Sequence, residues 1–145
     1  MGLTVTERYE NSPAYSMGYA SFYRLRRDIS YMISKEFGDH YANLPKAIMM
    51  HDPSAYDLRT AKLIRKYHCK QRLLDFLYQS DCEGHLSPVQ CKAVLQLIES
   101  NNTESANVNN ALYGYAAYPK RCMKISDFTN LLKECVARKT YLVWY

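Results

Sequence analysis

Apolar positions recur at helical spacing through the first part of the chain. Taken at 100° per residue, six of them share one face ahead of Gly38, a residue type that commonly ends helices. The pattern predicts a first helix that begins at Ala14 or Ser16 and ends at Phe37. Arg26 falls among the apolar positions, so we expect its side chain either to extend past the core to solvent or to pair with a carboxylate.

A turn at residues 52–53 precedes the longest predicted helix, which runs from Ala55 to Tyr78. Its first half is amphipathic, with basic side chains aligned along one face. In its second half, leucine and phenylalanine residues surround the helix axis. We therefore expect the second half to lie in the core and the first half to lie at the surface.

Two shorter helices follow. The first begins after Ser87, with Pro88 at the favoured first position and Gln90 where a capping box needs it. The second is expected to begin at Ser126, acting as its cap, and carries an apolar stripe that ends at Val136. Each helix has one apolar face, as expected for elements that pack on a shared core.

Both ends of the chain have β-prone sequences. We expect residues 3–6 and 141–145 to pair as a short two-stranded sheet. The whole pattern predicts a mainly α fold, a compact bundle of four to five helices in one globular domain, residues 1–145. Within it, residues 1–57 supply the first helix and an irregular segment, and residues 58–145 supply the long basic helix and the later helices.

The composition is that of a folded domain, with 48% hydrophobic and 23% charged residues. No run reaches the roughly 18 apolar residues of a transmembrane helix, and the first residues lack a signal-peptide pattern. We therefore expect a cytoplasmic protein with no membrane contact. The net charge of +5 favours an anionic partner without requiring one.

The five cysteines are an odd number and contain no Cys-x-x-Cys pair, which predicts reduced and mostly buried thiols. The alternative is a zinc site made of Cys82, His85 and Cys91 and completed by Cys122 or His68. Its spacing matches no common zinc framework. We therefore predict no metal and no cofactor.

Residues 80–87 form an acidic, glycine-centred break between two apolar-periodic helices, and on that account the segment 73–136 resembles a degenerate pair of EF-hands. In that family a twelve-residue loop supplies oxygen ligands to calcium, with glycine at its sixth position. If Gly84 is the sixth residue, Gln79 and Gln90 occupy the first and last ligand positions, where the family carries carboxylates. The resemblance therefore implies a helix-loop-helix scaffold with poor calcium affinity.

The resemblance also implies a second loop that pairs with the first. Ile125 then corresponds to Leu86, and the two residues are expected to meet in a small sheet. The ligand positions of this second loop, from Tyr118 to Thr129, hold no carboxylate, so no divalent cation is expected there. A weak divalent-metal-binding regulator is accordingly one alternative function.

A second alternative is an RNA- or DNA-binding protein. Residues 58–72 contain six lysine or arginine residues and no acidic residue, and residues 118–124 interleave basic and aromatic side chains. Such side chains bind phosphates and stack on unpaired bases. The residues expected to bind a partner or a nucleic acid are Arg59, Lys62, Arg65, Lys66, Lys70, Tyr118, Lys120, Arg121 and Lys124.

The principal hypothesis is a non-catalytic macromolecule-binding protein, an adaptor, regulator or inhibitor with a protein or nucleoprotein partner. The four histidines are scattered, and no nucleophile–base couple or phosphate-cradling glycine motif is present, so an enzyme is not expected. Fourteen tyrosines suit an interface. The small size fits proteins that phages or mobile elements direct against host machinery.

Overall fold

A computed structural model describes residues 2–9, 12–44, 58–101 and 124–145 of the chain. This part is mainly α, with six helices and a small four-stranded antiparallel sheet, which confirms the predicted fold class. Over the same residues, every helix is too short or too polar to cross a membrane.

The helices are α1 (Tyr19–Ile33), α2 (Lys35–Ala42), α3 (Leu58–Lys66), α4 (Gln71–Leu77), α5 (Pro88–Ser100) and α6 (Ile125–Arg138). The strands are β1 (Gly2–Glu7), β2 (Ala14–Gly18), β3 (Gly84–Leu86) and β4 (Leu142–Trp144). The helices outnumber the four to five predicted because two of the predicted helices are each broken in two.

The predicted first helix is wrong at its start. Residues 14–18 form β2, which pairs antiparallel with β1. Tyr15 and Met17 point toward the core while Ala14 and Ser16 are exposed, and this period of two belongs to a strand. The helical stripe begins only at Tyr19.

The predicted first helix is also interrupted. Ser34 is extended, with φ −170°, and its hydroxyl accepts a hydrogen bond from the Phe37 amide at 3.0 Å, so it ends α1 and caps α2. Gly38 does not end a helix, because it lies inside α2. A Cβ at this position would come within 2.2 Å of the Tyr31 ring, so glycine is required there for close packing of α1 on α2.

The predicted long helix is broken as well. α3 ends at Lys66, and His68 adopts a left-handed conformation with φ 51° before α4 begins at Gln71. The Cys69 amide donates to the Ile64 carbonyl at 3.0 Å, which closes the end of α3. The chain therefore turns at an elbow, residues 67–70, instead of continuing as one rod.

The predicted pairing of the two chain ends is confirmed, within a larger sheet than expected. The strand order is β2-β1-β4-β3, with Val5 opposite Trp144 and Leu86 opposite Leu142. β3 adds a third strand beside the C-terminal tail and β2 a fourth beside β1. The buried residues of all four strands face the helices.

Trp144 connects the sheet to the helical core. Its ring lies 5.4 Å from that of Phe22 and 6.1 Å from that of Phe76, measured between centroids, and its indole N–H donates to the Ser80 carbonyl at 2.9 Å. A Cβ on Gly84 would come within 2.2 Å of the Trp144 ring, so β3 approaches the indole more closely than a residue with a side chain would allow. Burial of such a ring contributes several kcal/mol in typical cores, about 3–5 by truncation to alanine.

Two side chains from other helices cap the buried C-terminal end of α4. Arg26 Nη1 donates to the carbonyls of Phe76 at 3.1 Å and Gln79 at 2.6 Å, and the Tyr41 hydroxyl donates to that of Leu77 at 2.5 Å. These carbonyls have no partner within the helix. The expectation for Arg26 was wrong: the residue is 1% exposed, and its partners in the described part of the chain are main-chain carbonyls.

Alkaline pH is expected to destabilise the fold through Tyr41. Burial raises the pKa of Tyr41 to about 12, whereas an unfolded tyrosine titrates near 10. Between these values the unfolded chain releases a proton that the folded chain retains, so stability falls as pH rises, by up to about 3 kcal/mol. Urea denaturation at a series of alkaline pH values measures this loss.

Tyr41→Phe is the matched control for that loss. It lacks the bond to Leu77 and starts less stable, but its stability should fall less steeply above pH ~10 because it has no phenol to titrate. Other tyrosines titrate in both proteins, so only the difference between the two curves reports Tyr41. Parallel curves would contradict the assignment.

Candidate partner-binding surfaces

One candidate site is a cationic surface on α3 and the elbow. We call it the basic surface and define it by five exposed side chains, Arg59, Lys62, Arg65, Lys66 and Lys70. All five belong to the residues expected from the sequence to bind a partner. Of the remaining expected residues, Lys124 is exposed at the start of α6, and Tyr118, Lys120 and Arg121 lie outside the described residues.

A few contacts join the inner side of α3, opposite the basic surface, to the rest of the protein. Leu63 and Thr60 are buried on the inner side of α3, and Thr60 Oγ1 lies 2.6 Å from His40 Nε2 of α2. At the other end of α3, Lys66 Nζ donates to Glu36 at 2.7 Å. These contacts hold the outer side of α3, with its cations, toward solvent.

The counter-ions are unevenly distributed over the basic surface. Glu36 accepts hydrogen bonds from Lys66 and from the Tyr67 hydroxyl, and both bonds hold the Glu36 pKa below its usual range. The other four cations have no carboxylate within 4 Å among the described residues. Within the described residues, the surface therefore presents four positive charges with no carboxylate at ion-pair distance, and of these Arg59 is near enough to Glu36 to help lower the Glu36 pKa.

The elbow changes the shape predicted for this surface. The sequence aligned Arg59, Lys62, Lys66 and Lys70 along one continuous helix, but Lys70 stands at the start of α4, beyond the left-handed His68. Only the cations of α3 share one helix. The predicted straight row of basic side chains is therefore wrong at Lys70.

A groove of about 310 Å³ adjoins the elbow. Ile33, Leu73 and Leu97 contribute apolar walls, and His68, Cys69 and Lys70 line the elbow side. Burial raises the pKa of the Cys69 thiol to about 11, so it stays protonated at neutral pH and is a poor nucleophile. The groove can receive a small apolar group but presents no activated thiol.

The remaining described cysteines do not form the zinc site considered from the sequence. Cys82 is exposed, whereas Cys91 and Cys135 are buried, and Cys91 Sγ donates to the Leu86 carbonyl at 3.7 Å. The interaction between the two buried thiols lowers the Cys91 pKa and raises that of Cys135. In the described part of the chain, no group of three or more His, Cys, Asp or Glu side chains is placed to hold a metal ion. Cys122 lies outside that part.

The two glutamines at the EF-hand ligand positions bond within the protein. Gln79 Oε1 accepts from the His85 amide at 2.8 Å, and its Nε2 donates to the carbonyls of His85 and Asp75. Gln90 Oε1 accepts from the Ser87 amide at 2.7 Å, completing the predicted capping box, and its Nε2 donates to Asp75 at 2.8 Å. Both amides brace the loop between α4 and α5.

The predicted pairing of Leu86 with Ile125, which the EF-hand resemblance implied, is wrong. Leu86 lies opposite Leu142 of β4, whereas Ile125 is the first residue of α6.

The predicted start of α6 is also wrong, because the predicted cap Ser126 lies inside this helix. The helix cap lies two residues earlier than expected, at Lys124, where the Asp127 carboxylate accepts from the Lys124 amide at 2.9 Å.

A second candidate surface, which the sequence analysis did not identify, is the outer side of the sheet. We call it the sheet face and define it by Arg8, His85, Tyr141, Val143 and Tyr145. Arg8 Cζ lies 5.6 Å from the centre of the Tyr141 ring, and the His85 ring lies 5.9 Å from the same centre. The alternation of Leu142 and Trp144 with outward residues was its only sequence signal.

Part of the sheet face adjoins a cavity of about 580 Å³. Arg8, His85, Val143 and Tyr145 line this cavity together with Gln79, Gly84, Trp144 and the acidic Glu83. The basic surface lies on α3 and the sheet face on β1, β3 and β4, so the two are built from separate elements.

We compared the chain with protein-family models, with curated proteins and with solved structures, and no match was found in any of the three comparisons.

Proposed function

We propose that the chain is a non-catalytic macromolecule-binding protein, an adaptor, regulator or inhibitor, that docks through its basic surface on an acidic face of a protein or nucleoprotein partner. The observation that carries this proposal is the set of four cations with no carboxylate at ion-pair distance in the described residues. Exposed charges of one sign raise the rate of encounter with an oppositely charged partner.

The attachment of α3 to α2 is consistent with the same proposal. Thr60 lies against His40, and Lys66 pairs with Glu36, so the inner side of α3 faces α2 and its cations face solvent. The acidic residues of the partner would replace the water around Arg59, Lys62 and Arg65.

Nucleic acid is a second candidate partner for the basic surface. It is favoured by the absence of any acidic residue between positions 58 and 72. A phosphate backbone offers closely spaced charges, and each neutralised phosphate adds to the salt dependence of binding. The two candidate partners can be distinguished by competition: a carboxylate-rich polymer should displace an acidic protein partner, and a nucleic acid should displace a nucleic-acid partner.

Charge reversal on α3 is expected to weaken polyanion binding. Lys62→Glu with Arg65→Glu should lower affinity for heparin and for polyglutamate at least tenfold and flatten the dependence of affinity on salt concentration. Retention on the immobilised polymers at graded salt measures both effects. Lys66 is left unchanged so that its pair with Glu36 continues to anchor α3.

Lys92→Glu with Lys133→Glu is the matched control, since both lysines are exposed and the change in net charge is the same. Equal losses in the two double variants would mean that net charge alone attracts the polymers, and the basic surface would be excluded as a site. Retention by single-stranded RNA but not by polyglutamate would favour the second candidate. Retention by both, lost only in the α3 variant, supports docking on acidic surfaces.

A further inference from the structure

We propose that the sheet face binds single-stranded nucleic acid, whose unpaired bases stack on Tyr141 and Tyr145 while Arg8 contacts the phosphate backbone. This inference goes beyond the function proposed for the basic surface, because it uses a different set of elements and names a specific class of partner. It follows from the exposure, spacing and charge of the sheet-face residues.

The exposure of the two tyrosines is imposed by the strand. Side chains alternate across a β-strand, and Leu142 and Trp144 of β4 are buried beneath the sheet, so Tyr141 and Tyr145 must point outward. They are 40% and 66% exposed. The core gains little from either ring. The Tyr145 ring is open to a planar partner, whereas Arg8 lies over the Tyr141 ring, so a base that stacks on Tyr141 takes the place of the guanidinium.

The spacing of the rings leaves room for a base between them. Four residues along a strand place two outward side chains roughly 13–14 Å apart. Between them lies Val143, a smaller and half-buried residue that lines the 580 Å³ cavity. A base on each ring and a further base over Val143 would form a continuous path along β4.

The cationic groups lie at the Tyr141 end of this path. Arg8 packs over the Tyr141 ring and has no carboxylate within 4 Å among the described residues. Lys139, two residues before Tyr141, is exposed as well. Glu83 is the acidic residue of the cavity lining, so we expect the phosphates to follow the Arg8 side, where charge complementarity favours them.

A nucleic acid suits this surface better than a protein does. The centre of a protein–protein interface is apolar and closely packed. Here the residues around the rings include Thr4, Thr6 and Ser16, whose hydroxyls stand on the outward side of β1 and β2. Stacking requires only the ring faces and is tolerant of base sequence, so a polar surface around the rings is compatible with it.

The test is the binding of fluorescently labelled oligouridylate, compared with a duplex RNA of the same length. Fluorescence anisotropy should show tighter binding of the single strand by the intact chain. Tyr141→Val and Tyr145→Val retain strand preference and should each weaken single-strand binding about fivefold to hundredfold. Tyr141→Phe and Tyr145→Phe keep the rings and should bind within about twofold of the intact chain.

Three results would overturn the proposal. One is equal binding of single strand and duplex, another is unchanged affinity in both valine variants, and the third is no binding of oligouridylate at low salt. Ultraviolet cross-linking adds a readout independent of folding, since it should label the peptide that contains Tyr141 and Tyr145. Loss of affinity in Lys62→Glu/Arg65→Glu with unchanged affinity in the valine variants would support the basic surface alone.

Discussion

Arg26→Met is expected to lower the free energy of unfolding by about 3–5 kcal/mol. Methionine fills much of the same volume but donates no hydrogen bond, so the buried carbonyl of Phe76 and the half-buried carbonyl of Gln79 would lose their donor. Each unsatisfied buried acceptor costs about 1–3 kcal/mol. Urea denaturation of the variant and the intact chain measures the difference.

The opposing effect is the relief of a buried charge. The guanidinium is buried above the Phe22 ring, 4.9 Å from its centre, and keeping it there costs several kcal/mol of hydration. An apolar replacement recovers that cost only when the former partners are replaced too, and here the carbonyls belong to the main chain. We therefore expect the loss of the donors to exceed the gain.

Arg26→Lys is the control for the Arg26 variant. Lysine keeps the charge and one strong donor group, which is able to reach one of the two carbonyls, so its cost should fall below that of methionine. Equal costs for lysine and methionine would show that the paired geometry of the guanidinium is what matters. A cost below 1 kcal/mol for methionine would contradict the capping role of Arg26.

The features predicted correctly from the sequence are those announced by a local sequence pattern. The capping box of Ser87 and Gln90 needs four adjacent residues, and both of its hydrogen bonds are present. The pairing of the chain ends followed from two β-prone runs that each need a partner. The exposure of the α3 cations followed from helical periodicity alone.

The two helix breaks were missed because their causes lie in tertiary packing. Ser34 interrupts an apolar stripe that continues on both sides of it, and the return of α2 along α1 depends on the fit of Gly38 beneath Tyr31. At the second break, the left-handed residue is His68, where a sequence-based prediction expects glycine or asparagine. Ser34 is a residue type favoured at helix N-caps, but the apolar stripe on both sides of it favoured an unbroken helix, and His68 carries no such signal.

The glutamines of the EF-hand-like loop show how a residue pattern supports two interpretations. Gln79 and Gln90 were interpreted as failed calcium ligands, and the structure gives them hydrogen bonds to the loop and to Asp75. A neutral amide both donates and accepts, which a carboxylate cannot do while ionised. Their presence therefore has a structural explanation that does not depend on an ancestral ion site.

The sheet face was absent from the prediction because its residues come from three distant segments. Arg8 directly follows β1, His85 lies in β3 and Tyr141 directly precedes β4, and only the strand order brings them together. No spacing in the sequence encodes that neighbourhood. The basic surface, by contrast, is almost contiguous in sequence, and for that reason its exposure could be predicted.

The second large effect is expected at the buried carboxylate of Glu7. This side chain is fully buried and accepts hydrogen bonds from Arg138 Nη1 at 2.9 Å, from Ser12 Oγ at 3.1 Å and from the Thr140 hydroxyl. Arg138→Met removes the cation and leaves the charge with two neutral donors. Because the Arg138 side chain is 41% exposed, water screens the pair, and we expect a loss of about 1.5–3 kcal/mol in the free energy of unfolding, the range for a hydrogen bond to a charged group.

The double variant Glu7→Gln/Arg138→Met should recover part of that loss, because a neutral amide in place of the carboxylate no longer needs a cation. The four proteins of this cycle, compared by urea denaturation, give a coupling energy above about 1 kcal/mol. Glu134→Gln is the matched control: it removes the other carboxylate bound to Arg138, an exposed i,i+4 pair at 2.9 Å worth only about 0.2–0.5 kcal/mol. Additive losses in the cycle would mean that Glu7 is not held by Arg138, and the link between β1 and the end of α6 would then depend on the hydroxyls alone.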